Sequence, residues 1–357
     1  MKILLIAMSG IGDTLIATPL LRELRANFPD AQIDVLVMWA GARDLLEGNP
    51  HVNRVWQKNF IKEGALRSLP FLRQLRRERY DLSINAHTQG RLAYRGVAAF
   101  IGARRRVGHA YDTTGWLDRA WFMHAMVPED YNVHSIENNN RLLPLAGARI
   151  QLAAHDMELF LTPAEEQFAW DFVAANHLAG RRVLGVHVGS GGTKNLPLKR
   201  WPLPNYIQLF QRLIAAHPQL TVLLFGGPEE KEAHARVRTE VASANILIPE
   251  TRNLRQAAAL LQHCHAFLSV DTALMHLAAA MKVPNQLVIE AMTLNATNVP
   301  YGNPFTLIRN PFVNGRNLDY YRYDGGPIKG TDEELIAAMN SVTVTEVERA
   351  VTNALLT

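Results

Sequence analysis

Short apolar runs alternate with helical patterns along the first half of the chain. Apolar residues at helical spacing separate the first two runs: Leu15, Ile16, Leu20, Leu21 and Leu24. Asp13 or Thr14 is placed to cap this helix. The runs predicted as strands are KILLIA, QIDVLVM, RVWQ, DLSINA and RRVGH. Strand and helix in regular alternation predict a parallel sheet with helices on both faces.

The same alternation restarts near residue 156. The runs predicted as strands there are RRVLGVHV, TVLLFGG, NILIP, AFLSV and NQLVIEA. Two capping boxes, Thr331-x-x-Glu334 and Thr345-x-x-Glu348, predict that the tail is helical. We therefore predict an α/β protein with two doubly wound, Rossmann-like domains, residues 1–155 and 156–335, followed by a helical segment, 336–357. Two such domains face to face would leave a ligand cleft between them.

Composition supports two soluble domains. A chain of 357 residues exceeds the usual size of one hydrophobic core. Its apolar runs are all shorter than the roughly 18–20 residues that a membrane span needs, and we predict no signal peptide. The single cysteine, Cys264, excludes an internal disulfide and a cysteine-based zinc site. A cytoplasmic location is therefore expected.

Charge is distributed unevenly along the chain. Residues 1–150 hold 20 Lys and Arg against 14 Asp and Glu, a net +6, whereas the remainder holds 17 against 19, a net −2. The basic residues concentrate in KNFIKEGALRSLPFLRQLRRERY and GARRRVGH. Such patches attract phosphates, anionic lipid or nucleic acid, although a solvated helix face explains either patch equally well. The acidic second half and the absence of an aromatic-basic motif disfavour nucleic acid.

The loop after the first strand reads Gly10-Ile11-Gly12-Asp13. A dinucleotide fingerprint needs a third glycine where Leu15 stands, so a Rossmann oxidoreductase is the least favoured enzyme class. The chain has no G-K-[ST] sequence, which excludes a P-loop. What remains is a tight turn in which Gly10 and Gly12 let another group approach the backbone. Asp13 is then either a structural helix cap or a general base.

Three stretches of the second half suit a nucleotide diphosphate. HVGSGGTKNLPLKRWP offers backbone amides with Lys194, Lys199 and Arg200. In FGGPEE, either Glu229 or Glu230 is placed to accept hydrogen bonds from a ribose, although acidity at a helix start is the better explanation for either residue taken alone. In SVDTALMHLAAAMKVP a helix begins at Asp271-Thr272 directly after a strand, and its amino end suits a diphosphate. His276 follows one turn later.

Together these motifs resemble glycosyltransferase family 9, the bacterial heptosyltransferases of lipopolysaccharide core assembly. The motifs, in order, are KILLIAMSGIGDTLIATPLLRELRANFPDAQIDVLV, YDLSINAHTQGRLAYRGVAAFIGARRRVGH, HVGSGGTKNLPLKRWP, FGGPEE and DTALMHLAAAMKVP. The resemblance implies a GT-B fold, in which two Rossmann-like domains face a central cleft and a C-terminal helix returns toward the first domain. It also implies an ADP-activated heptose donor, inversion at the anomeric carbon, and a lipid-linked or phosphorylated glycan acceptor.

The resemblance also assigns roles to individual residues. Asp13 would be the general base that deprotonates the acceptor hydroxyl, with Gly10 and Gly12 in the acceptor-side loop. Lys199 and Ser190 would meet the donor phosphates, and Glu230, or its neighbour Glu229, the ribose. The residues expected to hold the diphosphate are Asp271, Thr272, Ala273, Leu274 and His276. The sequence contains no Asp-x-Asp, so neither a metal nor another cofactor is expected.

The basic first domain then suggests a peripheral contact with anionic lipid at the cytoplasmic face of the inner membrane. The arginines expected to make it are Arg73, Arg76, Arg77, Arg104, Arg105 and Arg106.

The chain departs from the family pattern in places, and two other functions stay open. The family usually has Asp-Thr-Gly where this chain has Asp-Thr-Ala, and a Phe-Gly-x-Thr turn where it has IEAMT. One alternative is a GT-B transferase that uses a different nucleotide sugar or acceptor, such as O-antigen, capsule or a glycoprotein. The other is a non-catalytic nucleotide-binding or glycan-binding protein.

Overall fold

The computed structural model describes residues 1–112, 122–322 and 326–356. The chain divides into two compact units. The first unit runs from Met1 to Phe160, and the second begins at Leu161. Among the helices that the structure describes, none offers both the length and the apolar composition that a bilayer crossing demands.

The first unit is built on a six-stranded parallel sheet of order β3-β2-β1-β4-β5-β6. Its strands are β1 Lys2–Ala7, β2 Gln32–Val37, β3 Arg54–Gln57, β4 Leu82–Asn85, β5 Arg105–Ala110 and β6 Ala125–Pro128. Its helices are α1 Ile11–Ile16, α2 Thr18–Asn27, α3 Ala40–Leu45, α4 Phe60–Arg77, α5 Leu92–Ile101 and α6 Ser135–Asn140. This strand order is the doubly wound Rossmann order, so the predicted fold of this unit is confirmed.

The central strand β1 explains why this sequence folds as a covered sheet. Alternate residues of a strand point to opposite faces. Ile3 and Leu5 pack with α2 on one face, while Leu4 and Ile6 pack with α4 and α5 on the other. Each such side chain stabilises the fold by about 1.5–3 kcal/mol through its burial. A strand buried on both faces is apolar throughout, which is why KILLIA is so easily recognised.

The second unit repeats the same topology. Its parallel sheet has the order β12-β11-β10-β7-β8-β9. Its strands are β7 Arg182–His187, β8 Leu220–Phe225, β9 Ile246–Leu247, β10 Ala266–Ser269, β11 Asn285–Ile289 and β12 Phe305–Ile308. Its helices are α7 Pro163–Ala175, α8 Leu203–Ala216, α9 Lys231–Val241, α10 Leu254–Leu261, α11 Ala273–Ala280, α12 Asn317–Tyr320, α13 Asp332–Asn340 and α14 Val344–Leu356. The predicted pair of Rossmann-like domains is thus confirmed.

Two predicted helix caps are wrong. Helix α1 begins at Ile11 and its N-cap is Gly10, so neither Asp13 nor Thr14 is the N-cap, although the Asp13 carboxylate accepts the Gly10 N–H. At the other end of the chain, Thr331 and Glu334 form the predicted capping box. The second box is formed by Thr343 and Glu346 rather than by Thr345 and Glu348, because α14 begins two residues earlier than expected.

The C-terminal segment packs onto the second unit. Helix α14 contacts α8 and the strands β10, β11 and β12. Val342, Val347 and Val351 are fully buried in the same core. The indole Nε1 of Trp201 donates to the carbonyl oxygen of Val342 over 2.9 Å. Since Trp201 follows Lys199 by two residues, this bond links the tail to the loop that carries Lys199.

Candidate active site

Each sheet has one point at which the strand order reverses. In the first sheet it lies between β1 and β4, and in the second between β7 and β10. Chains that leave neighbouring strands in opposite directions open a crevice at the carboxyl ends, where open α/β sheets bind ligands. Asp13 follows β1, whereas Asp271 and Thr272 follow β10. The topology therefore places the predicted residues at the switch point of their own unit.

Asp13 is the third residue of α1, and its half-buried carboxylate folds back over the start of that helix. The N–H of Gly10 donates to Asp13 Oδ2 over 2.6 Å. A Cβ atom on Gly10 would lie 2.8 Å from the same oxygen, so only glycine leaves room for this contact. This bond gives Asp13 a structural contact with the start of α1.

Tyr94 of α5 lies within the electrostatic reach of Asp13. Burial raises the pKa of the Tyr94 phenol, the positive charge of Arg91 opposes this rise, and the negative charge of Asp13 adds to it. The phenol therefore stays neutral at pH 7 and is able to donate a hydrogen bond. The loop after β4 and the start of α5 thus supply the polar surroundings of Asp13.

In the second unit, Lys199 and Asp271 form a buried ion pair. Lys199 Nζ lies 3.2 Å from Asp271 Oδ2, and fewer than a tenth of each residue's surface is exposed. The hydroxyl of Thr293 donates to the same Oδ2 over 2.8 Å. Asp271 is therefore held by two donors. Thr293, which comes from the IEAMT stretch, is a site residue that the sequence reasoning missed.

His187 is a second residue of this cluster that the sequence did not predict. It lies between Thr272 and Glu230, which the sequence did predict. Its Nδ1 lies 3.2 Å from the hydroxyl oxygen of Thr272, and its Nε2 lies 3.9 Å from Glu230 Oε1. Burial, with smaller contributions from His234, Arg200 and Lys199, lowers the pKa of His187 to about 3. The ring is therefore neutral at pH 7. Its position as the last residue of β7, beside the switch point, is the signal that would have identified it.

The structure distinguishes Glu229 from Glu230. Glu229 is exposed, whereas Glu230 is buried and its Oε2 accepts the N–H of Gly227 over 2.8 Å. A Cβ atom on Gly189 would collide with Glu230 Oε1, so the loop after β7 closes directly onto this carboxylate. Burial raises the pKa of Glu230, and the Gly227 N–H and the charge of Arg200 oppose the rise. Of the two, Glu230 adjoins the other candidate residues.

Ser190 and the remaining basic residues of this loop have partners within the second unit. Arg200 Nε donates to Ser190 Oγ over 3.0 Å, and the Ser190 hydroxyl donates to the Leu196 carbonyl over 3.0 Å. Lys194 Nζ donates to the Gly326 carbonyl over 2.6 Å. Ser190 therefore shapes the loop through bonds to its own neighbours, and Lys194 is bonded to the Gly326 carbonyl.

Helix α11 supplies the amino end predicted to face a diphosphate. Thr272 is its N-cap, and Ala273 and Leu274 are its first residues, whose N–H groups have no partner within a helix. Ala273 takes the helical backbone that alanine favours, so the family's usual glycine is not required there.

His276 lies one turn into α11. It is buried, and its Nδ1 has no hydrogen-bond partner among the described residues. Burial lowers the pKa of His276 to about 4, with Asp271 raising it and Lys199 lowering it further. The ring is therefore neutral at pH 7, and its Nδ1 is a buried polar atom without a partner among the described residues.

The second unit thus gathers most of the predicted donor residues around one switch point. Contacts or mutual charge effects join Lys199, Asp271, Thr272, Glu230 and His276, with His187 and Thr293 added by the structure. Within the described part of the chain, no group of three or more His, Cys, Asp or Glu residues could hold a metal ion. Asp13 belongs to the first unit.

Known proteins resemble this chain in sequence and in fold. Lipopolysaccharide heptosyltransferase 2 of Escherichia coli K12 is 30% identical over 312 residues, covering 80% of this chain and 81% of that protein. A family 9 glycosyltransferase structure from Veillonella parvula aligns with a TM-score of 0.74 at 18% identity, covering 99% and 97% of the two chains. The structure of E. coli ADP-heptose LPS heptosyltransferase II gives 0.71 at 23% identity, covering 100% and 99%. These neighbours confirm the GT-B fold class.

The family itself matches directly. The sequence pattern described as glycosyltransferase family 9 (heptosyltransferase) matches residues 69–318, about two thirds of the chain. That range contains the switch point of the second unit and every candidate donor residue. The chain therefore belongs to glycosyltransferase family 9, the heptosyltransferases.

Proposed function

We propose that this protein transfers heptose from ADP-heptose to a lipopolysaccharide-core-type acceptor, with inversion and without a metal. The family and the names of its relatives, which are lipopolysaccharide and lipooligosaccharide heptosyltransferases, support the sugar and the acceptor class. The observation that carries the proposal is the buried group of Lys199, Asp271 and Thr272 at the switch point of the second unit. It combines a cation, a helix amino end and the unsatisfied His276 Nδ1.

The donor site would stabilise the leaving group. As the bond between the anomeric carbon and the diphosphate oxygen breaks, negative charge collects on ADP. Lys199, the amino end of α11 and a His276 N–H would neutralise that charge at fixed positions. Glu230 would accept hydrogen bonds from the ribose hydroxyls. No metal is needed in this scheme, because the protein itself supplies the positive groups.

The acceptor would be activated in the first unit. The Asp13 carboxylate would take the proton of the acceptor hydroxyl while the oxygen forms its bond to the anomeric carbon on the face opposite ADP. One bond forms as one breaks, the proton moves to Asp13, and the configuration inverts. The hydrogen bond from Gly10 would hold the carboxylate charged and oriented for this step.

A panel of nucleotides tests the donor. We expect ADP-heptose and ADP to raise the melting temperature, because a ligand at 100 times its Kd stabilises the folded protein by about 2.7 kcal/mol. UDP and GDP at equal concentration serve as controls and should give little shift. Release of ADP from ADP-heptose in the presence of a lipopolysaccharide core acceptor should follow. Stabilisation by UDP-sugars or GDP-sugars alone would favour a different donor, and binding without turnover on any glycan would favour a non-catalytic protein.

We further propose that the first unit binds an anionic membrane surface through α4 and α5, which pack side by side. Three of their apolar side chains face solvent: Ile61 is 63% exposed, Leu66 82% and Leu92 55%. Helix α4 also carries five basic residues and one acidic residue. Its exposed basic residues include Lys62, Arg67, Arg73, Arg76 and Arg77. Arg105 and Arg106 donate to carbonyls of their own unit, and burial lowers the pKa of Arg106, so α4 is the better candidate.

Vesicle sedimentation tests this contact. We expect binding to vesicles with anionic phosphatidylglycerol and little binding to phosphatidylcholine alone. The double variant Arg67→Glu with Arg73→Glu should weaken binding more than tenfold, since each basic residue near such a surface contributes about 1 kcal/mol. Arg236→Glu, an exposed arginine of the second unit, is the matched control. Equal binding to both vesicle types would contradict the proposal.

A further inference from the structure

The first unit contains a buried polar cluster to which the transfer mechanism assigns no role. It consists of His87, His109, Tyr111, Glu129 and Ser135, whose side chains are almost wholly inaccessible to solvent. His87 follows β4, His109 and Tyr111 lie at the end of β5, Glu129 follows β6 and Ser135 begins α6, and these segments meet because β4, β5 and β6 are neighbours in the sheet. Burying this much polarity is costly unless each group is hydrogen bonded. The arrangement therefore needs an explanation beyond core packing.

His87 is the centre of this cluster, and three of its atoms are held. Its backbone N–H donates to Asn139 Oδ1 over 2.7 Å. Its Nδ1 lies 3.0 Å from Ser135 Oγ, and its Nε2 lies 2.5 Å from Glu129 Oε1. Its ring stacks on that of Tyr111 with the centroids 5.8 Å apart. Both the backbone and the ring of His87 are thereby fixed.

One protonation state fits these contacts. Burial lowers the pKa of His87 to about 3, so the ring is neutral at pH 7. The Nε2–H then donates to the Glu129 carboxylate, and Nδ1 accepts the Ser135 hydroxyl.

The other titratable groups around this ring are His109, Tyr111 and Arg95. Burial and the charge of Glu129 raise the pKa of Tyr111, and Arg95 opposes the rise. Arg95 is buried and donates to the His109 carbonyl over 2.7 Å. The cluster therefore contains an anion, Glu129, and Arg95 is a buried cation beside it.

The loop that begins with His87 is tied to the loop that carries Asp13. The carbonyl of Thr88 accepts the Ser9 hydroxyl. Gln89 Nε2 donates to the carbonyl of Ile6, and the Gln89 N–H donates to the Tyr111 phenol over 2.7 Å. Ser9 is followed by Gly10, the residue that donates to the Asp13 carboxylate. A continuous chain of hydrogen bonds and backbone thus runs from Glu129 to Asp13.

We propose that His87 and Glu129 are positioning residues that set the direction of the Asp13 carboxylate through the loop at 87–89 and Ser9. This inference rests on the proposed function, in which Asp13 is the base. Neither residue touches the reacting atoms. Their task is to hold the loop after β4, and through it Ser9 and Gly10, in one place, because small errors in the position of a base are costly.

Two variants and one control test the proposal in the full-length protein. His87→Phe keeps the ring packing and removes both ring hydrogen bonds. Glu129→Gln is the conservative variant, since its amide oxygen still accepts the Nε2–H. The control is Tyr80→Phe, which removes a different buried hydrogen bond of the first unit, from the Tyr80 hydroxyl to Asp34 Oδ2 over 2.6 Å. For each we would measure kcat with ADP-heptose and a core acceptor, its pH profile, the ADP Kd, and the melting temperature.

We expect His87→Phe to lower kcat about 10- to 100-fold with an unchanged ADP Kd. Glu129→Gln should lower kcat less than His87→Phe does. Tyr80→Phe should lower only the melting temperature. An equal loss of kcat in Tyr80→Phe would overturn the proposal, since it would mark a general effect of destabilisation.

A wild-type kcat in His87→Phe would likewise overturn it. If His87→Phe does not fold, Glu129→Leu, which removes the acceptor of the Nε2–H, decides: a reduced kcat at unchanged ADP affinity supports the proposal, and a wild-type kcat overturns it. Asp13→Asn, measured in the same assays, separates a failure of the proposed function from a failure of the positioning role. An active Asp13→Asn enzyme would refute the proposed function itself, whereas an inactive one together with a normal His87→Phe enzyme would refute only the positioning role.

Discussion

Replacing Asp13 with asparagine should lower kcat for heptose transfer by about 10²- to 10⁴-fold, the usual contribution of a positioned general base. The amide oxygen can still accept the hydrogen bond from Gly10, so α1 should keep its start. What is lost is the ability to take the acceptor proton. Steady-state release of ADP from ADP-heptose, with a lipopolysaccharide core acceptor, measures the effect.

The ADP Kd should hardly change in this variant, because the proposed donor residues all belong to the second unit. Asp13→Ala, which also removes the bond to Gly10, should be at least as inactive and less stable. The difference in melting temperature between the two variants measures how much the hydrogen bond from Gly10 to residue 13 contributes to stability. Asp44→Asn, a half-buried carboxylate on α3 of the same unit, controls for the change of charge. Near-normal turnover in Asp13→Asn would remove Asp13 from the mechanism.

Replacing Lys199 with alanine should weaken ADP binding by about 10- to 150-fold, the equivalent of 1.5–3 kcal/mol for a charged hydrogen bond. Adenosine, which lacks the diphosphate, should bind the variant and the wild type alike. Titration calorimetry with both ligands makes this comparison. An unchanged ADP affinity would contradict the proposed phosphate contact.

Two further variants make the Lys199 result specific. Lys199→Ala leaves Asp271 buried without its cation, which should destabilise the protein. Adding Asp271→Asn should restore part of the melting temperature without restoring ADP affinity. Lys194→Ala removes a lysine from the same loop that is bonded to the Gly326 carbonyl, and it should affect ADP binding far less. Equal losses in the two lysine variants would indicate a general charge effect.

The sequence pattern predicted every interior strand and the edge strands β3 and β9, but not the edge strands β6 and β12. β1 and β8 are flanked on both sides and covered on both faces, so their residues are continuously apolar. β6 and β12 lie at sheet edges and are partly exposed, so they give no such run and were missed. The strand Phe305–Ile308 also pairs with β11 across a long connection. Its identity is decided by tertiary pairing rather than by local sequence.

Parts of the candidate site that depend on a local motif were predictable from the sequence. Contacts between residues far apart in the sequence were not. Asp271 and Thr272 follow a strand and open a helix, a pattern visible within a few residues. The ion pair of Lys199 with Asp271 joins positions 72 apart, and the bond from Thr293 comes from a third segment. The cap of α1 was misjudged for a different reason. In a capping box, a carboxylate at the third helical position accepts the N–H of the N-cap residue. Asp13 therefore contributes to capping without being the N-cap itself.

The bond between the Trp201 indole and the Val342 carbonyl has a consequence for how nucleotide occupancy is communicated. A displacement of Lys199 toward a diphosphate would strain the buried Trp201, two residues away. The indole of Trp201 is hydrogen bonded to the connection between α13 and α14. The segment around Val342 is thereby part of the structure that positions Lys199, the cation that we propose to meet the donor phosphates. We expect a chain shortened before Val342 to bind the nucleotide more weakly. Because the fluorescence of an indole depends on the polarity of its surroundings, the emission of Trp201 should report this change.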